Sequence, residues 1–253
     1  MKFDDLDTKM RCYEQSLDQC VLPDMYLVAR LDGRSFSRLT KEICDFEAPF
    51  DVRFRDMMVE TVKQLMDCGF RVVYGFTESD EISLLFHPCE NTFGRKTRKL
   101  NSILASTAGA AFSLQLGQVA ALDCRIVPLP NTERVKDYFL WRQEDAHRNA
   151  LNSHCYWLLR KEGMDARAAT AALEGKSIAY KNELLFSRGI NFDKLPAWQK
   201  RGVGVFWSAV EKTGFNPVTG KETKALRREL CVDYELPLGE AYAAYVTALL
   251  EQE

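Results

Sequence analysis

Apolar and polar positions along this chain fall into two rhythms, one of period near 3.6 and one of period 2. Asp5–Leu17 sets Leu6, Met10, Tyr13 and Leu17 at helical spacing and predicts a short amphipathic helix. Tyr26–Leu31 is an apolar run that stops at Asp32-Gly33-Arg34, the pattern of a strand ending in a turn. Asp51 is positioned to cap a helix through Cys68, with Phe54, Met57, Met58, Val62, Leu65 and Met66 on one stripe and Gly69 ending it. Arg71–Phe76 and Ile82–Phe86 read as strands joined by a polar tip, Thr77–Glu81. A basic opening, Arg95-Lys96-Thr97-Arg98-Lys99, leads into a helix through about Leu116, whose Ala- and Ser-rich stretch allows close packing against a sheet. Ala121–Val127 is a fourth strand, closed by Pro128 and Pro130.

Residues from about 24 to 130 therefore read strand–helix–strand–strand–helix–strand, the ferredoxin-like split βαβ pattern of an α+β fold. That order makes the first and third strands antiparallel neighbours in mid-sheet. The end of the first then lies beside the start of the third, so Asp32 is expected to meet Asp80 and Glu81. Farther on, Asn131 can cap a long helix, Glu133–Arg160, carrying Val135, Phe139, Trp141, His147, Leu151, Tyr156 and Leu158. Ala166–Leu173 is a further helix ended by Gly175, and Ser177–Leu185 is taken as helical. Val203–Val210 reads as a strand, Gly214–Lys224 (with NPVTGKET) as an extended hairpin, and Ala241–Leu249 as a closing helix. The expected division is a catalytic core over residues 1–130 and a helical and hairpin extension over 131–253, packed on it as one unit.

Composition narrows the class of protein. Nearly half of the 253 residues are apolar and the formal net charge is −2, so a packed core is expected and no global attraction to nucleic acid exists. Any RNA surface must be local, such as Arg95–Lys99 or the cluster Lys212, Lys221, Lys224, Arg227 and Arg228. Eight cysteines occur without a CxxC pair, which argues against zinc and against a disulfide framework. No apolar run approaches about 18 residues and the first residues are acidic, so the expectation is a cytoplasmic protein without a membrane span.

Two aspartates at one end of a sheet, with a main-chain carbonyl beside one, suit hard cations that take oxygen ligands. A pair of such ions roughly 4 Å apart can clamp a triphosphate and neutralise a leaving group. Gly33 would let the main chain approach phosphate, Ser35 and Ser37 could donate to it, and Arg34 and Arg38 could add charge. An ordinary explanation stands beside this one. Asp-Gly is a common turn and Ser-Asp-Glu a common hairpin tip, so either piece alone is better read as a solvated turn. Taken together, the two readings stand about even. A plain RNA-recognition module is disfavoured, because its aromatic motif belongs on a third strand that here begins with acids.

The residues also resemble a known family, the tRNA-histidine guanylyltransferases and their bacterial and archaeal "like" proteins, the 3′-to-5′ polymerases. The resemblance is carried by RLDGRSFSRL (Arg30–Leu39), YGFTESDEISLLF (Tyr74–Phe86), RKTRK (Arg95–Lys99), DYFLWRQEDAHRNALNSHCYW (Asp137–Trp157) and KNELLFSRGINF (Lys181–Phe192). It implies a polymerase-like palm, ATP-dependent activation of a 5′-monophosphate RNA end, and attack on that end by the 3′-hydroxyl of an incoming nucleoside triphosphate. It further implies two Mg2+ ions, GTP and ATP as substrates, tRNA as partner, and a homotetramer built as a dimer of dimers.

Position by position, the resemblance implies Asp32, the carbonyl of Gly33 and Asp80 as metal ligands, with Glu81 accompanying the second carboxylate. Asp32, Gly33, Arg34, Ser35, Phe36, Ser37, Ser79 and Asp80 match the nucleotide-binding segments. Arg30, Arg95, Lys96, Lys99, His147, Asn149, Lys181 and Asn182 match positions expected near phosphate or tRNA. On their own, Arg95–Lys99 would pass as a solvated helix start and His147 as a packed histidine. Two departures stand out: the eukaryotic HINNLYN motif appears as His147-Arg148-Asn149-Ala150-Leu151-Asn152-Ser153, and a family lysine is Ala48, before Pro49. Both point to the "like" branch, which adds nucleotides opposite a template and repairs 5′-truncated tRNA. Strict guanylate addition to tRNA-histidine is the alternative, ahead of a nucleotide cyclase or a non-catalytic tRNA-binding protein.

Overall fold

A computed structural model describes residues 2–216 and 220–251 of the chain. In order, the chain forms α1 (Phe3–Gln15), β1 (Tyr26–Gly33), the short turn α2 (Phe36–Arg38) continued through Leu39–Ile43, and α3 (Val52–Met66). Next come β2 (Val72–Glu78), β3 (Glu81–Phe86), α4 (Thr97–Leu116), β4 (Leu122–Leu129) and α5 (Thr132–Lys161). The last part holds α6 (Ala166–Leu173), α7 (Ile178–Phe186), α8 (Ala197–Arg201), β5 (Val203–Asn216), β6 (Lys221–Asp233) and α9 (Glu240–Leu250). The strands make one six-stranded antiparallel sheet in the order β4-β1-β3-β2-β5-β6.

Alternation along the strands decides which helices cover which face. Leu27, Ala29 and Leu31 of β1 join Ile82, Leu84 and Phe86 of β3 in a core with α3 and α4. Val28 and Leu85 point the other way and pack with Val135 and Phe139 of α5 and Val246 of α9. The second half of α5 leaves the sheet and builds a separate core with α6 and α7, using Leu151, Cys155, Leu159, Leu173 and Leu185. Asp51, Asn131, Asp165 and Ser177 cap α3, α5, α6 and α7 by accepting from main-chain amides of the first turn. Gly75 admits α3 close to the sheet: a Cβ there would lie 2.3 Å from Cγ1 of Val62.

Several expectations need correction. The β2–β3 tip is a two-residue turn, Ser79-Asp80, because Glu78 and Glu81 already pair across the strands. Pro128 lies inside β4, opposite Leu27, rather than ending it. It is accommodated because β4 is an edge strand and needs hydrogen bonds on one side only. Arg95 does not open α4. It closes a 3-10 turn, Thr92–Arg95, with φ 58°, and the helix starts at Thr97. The strand expected over Val203–Val210 runs on to Asn216, paired throughout with β6. Cross-strand ion pairs, Lys224 to Glu211 at 2.7 Å and Lys212 to Glu229, support that exposed extension. Residues 217–219 of the expected NPVTGKET turn lie outside the described residues. Finally, α1 forms as expected but buries none of its residues; Leu6, Met10 and Tyr13 are exposed.

Candidate functional site

Asp32, next to last in β1, is opposed by Glu81 on β3 and by Asp123 on β4. Directly opposed residues share a face, so three acids line up across one end of the sheet. Two residues back on that face, Arg30 is opposed by Ser83 and Arg125. Asp80 sits in the turn between β2 and β3, where Ser79 adopts a left-handed conformation with φ 48°. The two carboxylate-bearing turns are joined through the main chain: the Gly33 amide donates to the Asp80 carbonyl at 3.1 Å. Gly33 is required by a close approach, since a Cβ there would lie 2.5 Å from Cγ of Phe36. Phe36 itself is 1 % exposed and packs on the rings of Phe54 and Phe112.

Ion pairs thread through the acids. Arg30 pairs with Glu81 and reaches Asp32 at 3.5 Å. Arg142 on α5, its side chain 2 % exposed, donates to Glu81 at 2.7 Å, Asp145 at 2.8 Å and Glu78 at 3.3 Å. Burial, reinforced by the charge of Glu81, pushes the Glu78 carboxyl up to about 8. Burial also raises the Asp80 carboxyl from its ordinary value, and the charge of Asp32 adds to the effect. Among the described residues no cation pairs with Asp80.

A cavity of about 520 Å³ opens beside this turn. Its lining includes Ser37, Ser79 and Asp80 together with the aromatic side chains of Phe46, Tyr156 and Trp198. A volume of that order accepts a small molecule.

The other candidate residues are distributed unevenly. Arg34 and Ser35 are exposed beyond β1, Ser35 in a left-handed conformation with φ 61°. The side chain of Phe36 belongs to the core, and its carbonyl accepts from the Thr40 hydroxyl at 2.9 Å. Asn149 lines the cavity, while His147 packs edge-on against Phe192, with burial lowering its imidazole. On α7, Lys181 and Asn182 are half-buried, and the Asn182 amide is turned back to the Ile178 carbonyl. Arg95 is buried and donates to the carbonyl of Met25, at the other end of β1 from Asp32, some ~20 Å away at about 3.3 Å per residue. Lys96 pairs with Asp18 at 2.7 Å, and Lys99 lies over the ring of Phe93. This basic stretch is not brought to the carboxylates within the chain. Sequence patterning does not single out Glu78, Asp123, Arg142 and Asp145. The available signal is an arginine on the apolar stripe Val135, Phe139 and Ala146, with an aspartate one turn on.

Comparison with known proteins decides the family. A family model described as tRNAHis guanylyltransferase matches residues 7–130, and one described as the Thg1 C terminal domain matches residues 133–232. The chain belongs to the tRNA(His) guanylyltransferase family. Among its relatives, a probable tRNA(His) guanylyltransferase of Dictyostelium discoideum is 35 % identical over 233 residues, covering 85 % of this chain and 88 % of that protein. A probable tRNA(His) guanylyltransferase of Drosophila melanogaster is 32 % identical over 203 residues, covering 76 % and 70 %. Among solved structures, a bacterial tRNA(HIS) guanylyltransferase (Thg1)-like protein in complex with GTP superposes with a TM-score of 0.74 at 26 % identity, over 98 % of this chain and all of the other. The tRNA(His) guanylyltransferase of Saccharomyces cerevisiae superposes with a TM-score of 0.70 at 28 % identity, over 77 % and 91 %. Like these family members, the chain is a mixed α/β protein, and no described helix is long and apolar enough to cross a membrane.

Proposed function

We propose that this chain is a metal-dependent nucleotidyltransferase that adds nucleotides to the 5′ end of tRNA in the 3′-to-5′ direction, opposite a template. The observation that carries the reading is the tie between Gly33 and Asp80, which holds Asp32 and Asp80 at one sheet end beside a nucleotide-sized cavity. The strand order β4-β1-β3-β2 with α3 and α4 on one face supports a ferredoxin-like, polymerase-like palm over residues 1–130. Family membership, and GTP and ATP complexes of Thg1-like neighbours, support nucleoside triphosphates as substrates and tRNA as partner.

Two Mg2+ ions fit the donor set. Among the described residues no three His, Cys, Asp or Glu side chains converge as a ready cluster. The available donors are the carboxylates of Asp32 and Asp80 with the Gly33 carbonyl, all hard oxygens. Burial first, and then the charge of Asp32, disfavours the ionised Asp80 carboxyl, a cost that a bound divalent cation would offset. Bound there, the ions supply charge neutralisation for phosphoryl transfer. The chain's own part is positioning: Asp32 and Asp80 are fixed by their turns, and Ser35, Ser37 and the main chain after Gly33 face phosphate. Glu81 is saturated by two arginines and acts by orientation. In this reading the RNA 5′-monophosphate attacks the α-phosphorus of ATP and releases pyrophosphate, and the 3′-hydroxyl of the incoming triphosphate then attacks the RNA 5′-phosphorus, loses its proton and displaces AMP.

Of the polar cavity residues on this segment, Asn149 keeps the HINNLYN residue while Asn152 and Ser153 depart from it, which favours templated repair over dedicated tRNA-histidine recognition. Lys96, Lys99, Lys181 and Asn182 serve tRNA contact outside the carboxylate end. The enzyme works in the cytoplasm as a homotetramer, and the exposed apolar side of α1 is a surface that such assembly can bury. The test is to incubate a 5′-shortened tRNA transcript, activated at its 5′ end, with each nucleoside triphosphate in turn and read product length. Extension only by the nucleotide complementary to the template is expected. Extension by guanylate alone, on tRNA-histidine alone, would establish the strict reading instead.

A further inference from the structure

Arg142 lies on α5, far in sequence from either carboxylate turn, yet its guanidinium sits under the base of one of them. One nitrogen, Nη2, contacts Oε1 of Glu78 at 3.3 Å and Oε2 of Glu81 at 2.7 Å. Those residues are the two ends of the Ser79-Asp80 turn, paired directly opposite each other. Two carboxyl groups so opposed give each other no attraction, and they repel whenever both are ionised. A buried arginine bridging them draws the ends together. The same nitrogen also lies 2.8 Å from Asp145, one turn along α5, and the Trp141 ring lies 4.6 Å from Cζ. Fixing the guanidinium costs little further order, because its neighbours are already packed.

We infer that Arg142 is a positioning residue that clamps the hairpin turn bearing Asp80, and so sets the metal-holding geometry without touching metal or substrate. The inference rests on the site reading proposed above. Its consequence is specific. Glu78 and Glu81 belong to the sheet, whereas Arg142 belongs to the helix whose farther half carries Asn149 and the departing motif. The turn is therefore held from outside the strand–helix unit of residues 1–130.

Two variants test this. Arg142→Met keeps a long apolar stem but removes the charge and every donor. Glu78→Ala removes one end of the clamp and leaves Arg142 on Glu81. Mn2+ binding to full-length protein with GTP is followed by electron paramagnetic resonance, and the Mg2+ dependence of 5′ addition is measured alongside tRNA affinity. Loss of an outer partner typically weakens a metal site by about 10- to 100-fold. The expected result for Arg142→Met is Mn2+ binding weakened about ten-fold or more, unchanged tRNA affinity, and partial recovery of addition at saturating Mg2+. Mn2+ affinity within about two-fold of wild type would reduce Arg142 to a core ion pair and overturn the inference. Should Arg142→Met lose its cooperative melt, Glu78→Ala decides by the same reading: weakened Mn2+ binding upholds the clamp, unchanged binding overturns it. Wild-type protein that binds no Mn2+ with GTP overturns the site reading and this inference together. Wild-type protein that binds Mn2+ but extends no RNA overturns the proposed reaction alone.

Discussion

The main-chain amide of Gly33 donates to the main-chain carbonyl of Asp80 at 3.1 Å, joining the end of β1 to the tip of the β2–β3 hairpin. Main-chain contact of this kind is indifferent to side-chain substitution, so the carboxylates of Asp32 and Asp80 can be altered without moving the turns that carry them.

Asp32→Asn and Asp80→Asn are therefore expected to fold and to lose 5′ addition by about 10²-fold or more. Burial and the neighbouring Asp32 disfavour ionised Asp80, so Asp80→Asn should melt no lower than wild type when metal is chelated. Circular dichroism melts and single-turnover addition check both statements. Near-normal addition by either variant removes the metal assignment.

Gly33→Ala forces a Cβ to within 2.5 Å of the Phe36 ring, which is already wedged between Phe54 and Phe112. Overpacking of this kind costs about 1–3 kcal/mol, and the displaced amide should also loosen the tie to Asp80. A lowered denaturant midpoint together with reduced addition is expected; a stability loss with full activity would show the tie to be dispensable.

The Glu78 carboxyl stands at about 8 in the folded chain, above its ordinary value of 4.5, chiefly through burial. A raised carboxyl binds protons more tightly when folded, so stability is fully present below pH 4.5 and is lost as pH rises toward 8. Glu78→Gln stays neutral throughout. Its melting temperature in chelator should match wild type near pH 5 and exceed it increasingly up to pH 8.5, and a constant difference would contradict the raised value.

Asp51 shifts the opposite way. Its carboxyl accepts from the Arg53 side chain and from the main-chain amides of Glu47 and Arg53, and is held down at about 2. That stability is present above pH 3.8 and is lost as pH falls through about 2. Asp51→Ala should lower stability by about 1–2 kcal/mol near neutral pH, and the gap should narrow in acid-denaturation curves below pH 4.

Within Arg95–Lys99 the expected effects separate. Arg95→Ala strips a buried donor from the Met25 carbonyl and should lower stability. Lys99→Ala removes a half-buried cation that pairs with no acid among the described residues and should reduce the salt slope of tRNA binding by about 1. Equal salt slopes for Lys99→Ala and wild type would move the RNA surface elsewhere.

Asp32, Gly33 and Asp80 were legible because the signals that mark them are local: apolar runs of period 2 that break at acids, separated by helical stripes with capping residues such as Asp51 and Asn131. Strand order then follows from element order, and it brings the end of β1 to the start of β3. The seat of Arg142, the place of Asp123 opposite Asp32, and the inward turn of Arg95 carry no such signal. Each depends on which side chain lies opposite, or on a left-handed residue such as Arg95 itself, and a linear pattern does not specify either. A buried charge looks like an exposed one until its partners are known, because its cost is cancelled by groups distant in sequence. The sequence thus determined the elements and the pair of acids. Only tertiary packing decided which arginines hold those acids in place, since electrostatics acts through space and periodicity along the chain.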